Sequence, residues 1–110
     1  LHLPATPETI NMIGKKQFEL MKNTAFIINT ARGKLIVESD LFDALTNNQI
    51  AGAALDVFET EPPTNSKLIK LKNLIATPHI GAQIIEAQKD ASIVIAQKII
   101  KYYSDNPSKE

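Results

Sequence analysis

Three short apolar runs, each leading straight into polar or ionisable residues, constrain this chain more than any other feature. They are Ala25-Phe26-Ile27-Ile28, Ile50 onward to Val57, and Leu74-Ile75-Ala76. The first shows no polar alternation, as expected of a strand covered on both faces. The second is rich in alanine and interrupted by Gly52, which suits close packing of helices on a sheet. The third is short and ends at Thr77-Pro78.

Helical signals fall between and after these runs. Residues 15–21 predict a short helix. Glu38 or Ser39 can open another, with Val37, Leu41 and Leu45 at four-residue intervals and the acids Glu38 and Asp40 where the helix dipole favours them. Residues 83–103 predict a long helix. Ile84, Ala91, Ile95, Ile99 and Tyr102 share one face, and Glu86, Asp90, Gln97 and Lys101 lie roughly opposite. Residues 1–3 read as the end of a strand halted by Pro4. Residues 5–9 are turn-rich, residues 59–72 form a loop that Pro62-Pro63 keeps irregular at its start, and residues 104–110 form a polar tail. Phe18, Phe26, Phe42 and Phe58 sit in apolar contexts and are assigned to the core. Strand and helix alternating over short connections is the pattern of a parallel α/β sheet. Three or four strands make about half of a doubly wound sheet.

Composition removes several function classes. Twelve basic residues balance twelve acidic ones, which points to neither nucleic acid nor an anionic membrane as partner. The chain has no cysteine, so disulfides, thiolate metal sites and cysteine nucleophiles are excluded, and a reducing cytoplasm suits it. No apolar run is long enough to span a bilayer, and the first residues do not read as a signal peptide. His2 and His79 lie far apart without a local acid pattern, so no metal site is expected.

In a parallel sheet the working loops lie at the carboxyl ends of the strands. Here those loops hold, in order, Arg32, Asp56 with Glu61, and His79. An arginine, an acid and a histidine gathered at strand ends can bind a carboxylate, tune an imidazole and move a proton. Taken singly, each has a plainer reading: Arg32 as a solvated turn residue, Asp56 as a cap, Glu61 as a surface acid, His79 as a hydrogen-bonded loop histidine. His2 reads as structural, and Lys67, Lys70 and Lys72 as a solvated loop edge.

Four blocks in order decide between these readings. They are His2-Leu3-Pro4-Ala5-Thr6-Pro7-Glu8-Thr9, then Asn29-Thr30-Ala31-Arg32-Gly33, then the stretch from Ala53 through Asp56 and Glu61 to Pro62, then Thr77-Pro78-His79-Ile80-Gly81-Ala82. Together they resemble the NAD-domain signatures of the D-isomer-specific 2-hydroxyacid dehydrogenases, from Leu1 to about Ala87. The resemblance implies that Arg32 binds the substrate carboxylate and polarises its 2-oxo group, that His79 is the acid/base, and that Glu61 pairs with it. It implies that Asp56 binds the nicotinamide carboxamide. Leu3, Thr30, Ala31 and Arg32, with His79, Ile80, Gly81 and Ala82, would line NAD. The chemistry suits these types: a planar fork matches a carboxylate, and an acid fixes the tautomer of an imidazole and stabilises its cation.

The implied fold is the C-terminal half of a doubly wound, Rossmann-type parallel sheet with a long C-terminal helix. Residues 1–82 would be part of the NAD-binding catalytic domain, with its first half missing, residues 83–103 the C-terminal helix and residues 104–110 the tail. No Gly-X-Gly-X-X-Gly occurs; Gly14, Gly33, Gly52 and Gly81 are isolated, and the chain reads as a fragment. Within the family, the texture around residues 56–61 and 79–88 is most like members that convert 3-phosphoglycerate to 3-phosphohydroxypyruvate in serine biosynthesis, as cytoplasmic homodimers. Glyoxylate or hydroxypyruvate reductases, and non-catalytic NAD-sensing corepressor-like proteins, share the same residues and stay open as alternatives.

Overall fold

The computed structural model describes residues 1–81 and 85–105. The chain forms two compact units, Leu1–His79 and Ile80–Glu110.

In the first unit, α1 (Lys15–Leu20), β1 (Phe26–Asn29), α2 (Glu38–Thr46), β2 (Gly52–Leu55) and β3 (Leu74–Ala76) follow one another, with single 3₁₀ turns at Gly33–Leu35 and Leu68–Lys70. The strands form a parallel sheet in the order β1-β2-β3. Its register pairs Ile27 with Ala53 and Asn29 with Leu55 on one side, and Ala53 with Leu74 on the other. Parallel neighbours require crossovers. α2 lies within the first, and an irregular loop with the Leu68–Lys70 turn makes the second.

Side-chain alternation places Ile27, Ala53, Leu55 and Leu74 on one face of this sheet, where they share a core with Phe18 of α1 and Leu41 and Leu45 of α2. Leu41 and Leu45 are 0% and 1% exposed, so the four-residue spacing marks the buried stripe of α2, and each burial stabilises by about 1.5–3 kcal/mol. The acids opening α2 tie it to its surroundings as well as facing its dipole: Asp40 Oδ2 accepts the Lys15 amide at 2.9 Å, and Glu38 Oε1 accepts the Glu59 amide at 2.6 Å.

The other face of the sheet is bare. Phe26, Ile28 and Ile75 are 70%, 57% and 69% exposed. Within this 110-residue chain, the second cover expected of this strand is not met and Phe26 does not join the core. Within Leu1–His79, α1 and α2 join the core formed by the opposite face. Phe18 and Phe58 are buried, and Phe42 packs against the core from its edge.

Residues 1–3 are not assigned to a strand in this chain, although they lie beside β1. The Leu1 nitrogen donates to the carbonyl of Ile28 at 2.7 Å, and Pro4, which has no amide, ends any pairing beyond residue 3. β2 is shorter than the expected 50–57: it begins at Gly52 and stops before Asp56. In the second unit, α3 (Ile85–Asp105) runs two residues beyond the expected end, so Ser104 and Asp105 are helical rather than tail. The expected start at Gln83, the face residue Ile84 and the tail from residue 106 lie outside the described residues.

Candidate active site

The site-bearing segments of the first unit follow the carboxyl ends of its three strands. β1 ends at Asn29, whose side chain is buried, 1% exposed, and folds the following turn around itself. Its Oδ1 accepts the Ala31 amide at 3.0 Å, and its Nδ2 donates to the Arg32 carbonyl at 2.9 Å. Arg32 itself is exposed, and its Nη1 donates to the Ala31 carbonyl at 2.6 Å.

β2 ends one residue before Asp56, which is 5% exposed. The Asp56 amide continues the ladder by donating to the Asn29 carbonyl at 3.0 Å. Its Oδ1 accepts the Thr77 hydroxyl at 2.6 Å. The chain then turns at Phe58, whose amide donates to Glu61 Oε1 at 3.1 Å. This loop is pressed onto the Arg32 turn: a Cβ at Gly33 would fall 2.0 Å from the Phe58 carbonyl carbon and oxygen. Glycine is required there by the close approach of two backbones.

After β3, the amide of His79 closes a tight turn onto the Thr77 carbonyl at 3.1 Å, around Pro78. His79 has φ 57°, the left-handed region that histidine enters more readily than most residues. Its Nδ1 lies 2.7 Å from Glu61 Oε2. Both oxygens of Glu61 are thereby engaged, and its pKa is held below the ordinary value. The hydrogen bond with His79 is the main cause and the Phe58 amide the next; burial and the Asp56 carboxylate oppose them.

Asp56, Phe58, Glu61, Pro62, Pro63, Thr77, Pro78 and His79 line one cleft of about 270 Å³. The structure thus gathers three of the expected residues, Asp56, Glu61 and His79. Arg32 does not line this cleft; it stands on the neighbouring turn with its guanidinium folded back onto the Ala31 carbonyl. Thr30 is exposed and Ala31 half-buried on that turn, and Leu3 is 40% exposed. Ile80 and Gly81 are exposed and belong to the second unit, and Ala82 lies outside the described residues. Lys67, Lys70, Lys72 and His2 are exposed. Among the described residues no three His, Cys, Asp or Glu side chains converge as metal donors would, and no helix is long and apolar enough to cross a membrane.

Two polar partners in this arrangement, Asn29 and Thr77, were not among the expected site residues. The available signal was an uncharged polar residue immediately after an apolar run, which reads equally well as an ordinary turn former.

Comparison with known proteins gives the arrangement a lineage. Residues 1–81 match the family described as D-isomer specific 2-hydroxyacid dehydrogenase, NAD binding domain. The chain is 52% identical over 101 residues to D-3-phosphoglycerate dehydrogenase of Methanocaldococcus jannaschii, which covers 92% of this chain and 19% of that protein. It is 46% identical over 102 residues to glyoxylate reductase of Thermococcus litoralis, covering 93% of this chain and 31% of that protein. The NAD-complexed crystal structure of a D-isomer specific 2-hydroxyacid dehydrogenase from Lactobacillus delbrueckii ssp. bulgaricus superposes with a TM-score of 0.66 at 39% identity, over 73% of this chain and 29% of that one. The chain therefore spans under a third of the length of each of these proteins. A parallel sheet with its ionisable residues at the strand ends, a family match over residues 1–81 and identities near one half agree: this chain belongs to the D-isomer specific 2-hydroxyacid dehydrogenases, within their NAD-binding domain.

Proposed function

We propose that the protein carrying this chain interconverts a D-2-hydroxy acid and its 2-oxo acid with NAD, using His79, Glu61 and Arg32. The observation that carries the reading is the 2.7 Å pair of His79 Nδ1 and Glu61 Oε2 on the wall of a cleft that also holds Asp56.

In this reading the Nδ1–H of His79 donates to Glu61, which fixes the tautomer and leaves Nε2 to exchange a proton with the substrate oxygen. Reduction of the 2-oxo acid requires the ring protonated, and oxidation of the hydroxy acid requires it neutral. Glu61 stays anionic through both directions and stabilises the imidazolium when it forms. The Phe58 amide on its second oxygen prevents the carboxylate from rotating away. Arg32 releases its bond to the Ala31 carbonyl and presents its fork to the substrate carboxylate and 2-oxo oxygen.

The residues present suit a nicotinamide. Asp56 is a buried carboxylate on the cleft wall, the acceptor that a carboxamide NH₂ needs, and Thr77 orients it through Oδ1. The cleft of about 270 Å³ has room for a ring of that size. When bound, the nicotinamide supplies the two-electron acceptor or donor. On the family likeness, Leu3, Thr30 and Ala31 are further candidates for cofactor contact, and so, separately, are Ile80, Gly81 and Ala82.

For the substrate we favour 3-phosphoglycerate, on the 52% and 46% identities to phosphoglycerate dehydrogenases. Glyoxylate reduction is the second reading, favoured by an equal 46% identity to a glyoxylate reductase. Steady-state kinetics of the full-length protein with 3-phosphohydroxypyruvate, glyoxylate and hydroxypyruvate decides between them. Efficiency should be greatest with 3-phosphohydroxypyruvate. A preference for glyoxylate selects the second reading, and no turnover of any 2-oxo acid removes both.

A further inference from the structure

We infer that Asn29 is a positioning residue for Arg32: its buried carboxamide sets the backbone from which the guanidinium reaches the substrate. The inference rests on the reading that Arg32 holds the substrate carboxylate.

Asn29 closes β1 on the face that carries the core, and it is 1% exposed. A buried carboxamide must satisfy both ends. Here both ends go to the same turn: Oδ1 takes the Ala31 amide at 3.0 Å and Nδ2 gives to the Arg32 carbonyl at 2.9 Å. These bonds bracket the Ala31–Arg32 peptide, whose carbonyl is the one that Arg32 Nη1 holds at 2.6 Å. The main chain of Asn29 is anchored separately, its carbonyl accepting the Asp56 amide at 3.0 Å. One residue thus references the Arg32 turn to the strand end that presents Asp56.

The two bonds hold this turn from inside the core, one on each side of the Ala31–Arg32 peptide. Asparagine is suited to the task because its carboxamide carries a donor group and an acceptor group side by side in one plane. Aspartate keeps the acceptor for Ala31 but sets a second oxygen against the Arg32 carbonyl. Serine keeps a shorter hydroxyl that can serve one flank at a time.

The test is a double-substitution cycle in the full-length protein, pairing Asn29→Asp with Arg32→Lys and reading kcat, KM for the 2-oxo acid and the dissociation constant of NADH. Asn29→Asp alone should lower kcat/KM by about 10- to 30-fold, through both KM and kcat, with NADH affinity within about twofold of wild type. In the Arg32→Lys background the same change should cost less than about threefold, because the group it positions is already altered. Asn29→Ser should recover part of the loss.

Equal costs in the two backgrounds overturn the inference, as does a loss of NADH affinity matching the loss of efficiency. If Asn29→Asp does not fold, the cycle with Asn29→Ser decides on the same criteria. If neither variant folds, Asn29 is a scaffold residue and the inference fails. Near-normal efficiency of Arg32→Lys by itself overturns the reading of Arg32, a failure distinct from additivity in the cycle.

Discussion

Glu61 holds His79 and Phe58 at once: Oε2 lies 2.7 Å from the imidazole Nδ1, and Oε1 accepts the Phe58 amide at 3.1 Å. The first bond acts on the ring that exchanges a proton, and the second fixes the direction from which the carboxylate approaches it.

Replacing Glu61 with glutamine keeps the shape and removes the charge. A carboxylate beside an imidazole favours the protonated ring. In Glu61→Gln the alkaline loss of 2-oxo acid reduction should therefore begin at lower pH than in the wild type, and oxidation should extend to lower pH. His79→Gln should depress both directions at every pH. The measurement is kcat/KM against pH in each direction, after NADH binding has been verified. Unmoved limbs in Glu61→Gln would return the acid to a structural role.

The same carboxylate should leave a mark on stability. Its folded-state pKa lies below the ordinary value of 4.5, so its contribution is fully present above that pH and is lost as pH falls through the lowered value. Thermal unfolding from pH 6 to pH 3 should show a steeper acid decline for wild type than for Glu61→Gln. Parallel curves would mean that the pair adds nothing to folding in solution.

Arg32→Lys keeps the charge and discards the planar fork. If Arg32 engages both carboxylate and 2-oxo oxygen, kcat/KM should fall by about two orders of magnitude, with NADH affinity much less affected. Near-normal turnover would make it a solvated turn residue.

Gly33→Ala places a methyl group 2.0 Å from the Phe58 carbonyl, where backbone rather than a flexible side chain must yield. We expect a destabilisation of about 2–4 kcal/mol in urea unfolding. Efficiency should fall as well, because the displaced loop carries Glu61. A variant as stable as wild type would show that the two loops part easily.

The 110-residue polypeptide taken alone should bind NAD weakly, since its four glycines are isolated and no glycine-rich loop among them can seat a pyrophosphate. Its bare sheet face of Phe26, Ile28 and Ile75 should also favour self-association. Calorimetric titration checks the first expectation and analytical ultracentrifugation the second. A micromolar dissociation constant for NAD would contradict the former.

What the sequence made legible follows from what is local. The 74–76 strand, a helix opening at Glu38 or Ser39 and a short helix over 15–21 are expected from the sequence, and the structure has Leu74–Ala76, a start at Glu38 and Lys15–Leu20. The covering of a sheet face is not local. The run Ala25-Phe26-Ile27-Ile28 looks equally apolar on both sides, yet Ile27 is buried and its neighbours Phe26 and Ile28 are bare. Strand-end logic and family likeness grouped Arg32, Asp56, Glu61 and His79; the last three line one cleft, and Arg32 stands on the neighbouring turn. The grip of Asn29 on residues 31 and 32 was not, because a carboxamide after a strand gives no sign in sequence of where its hydrogen bonds go.

The left-handed backbone at His79 gives this position two independent scales of tolerance. Asparagine, aspartate and glycine enter that conformation readily, whereas valine and isoleucine are strained in it whatever their chemistry. A saturation library at residue 79 should therefore sort by folded yield in one order and by turnover in another. Asparagine would preserve the corner while deleting the ring. It is the replacement that separates the loss of a proton carrier from the loss of a bend.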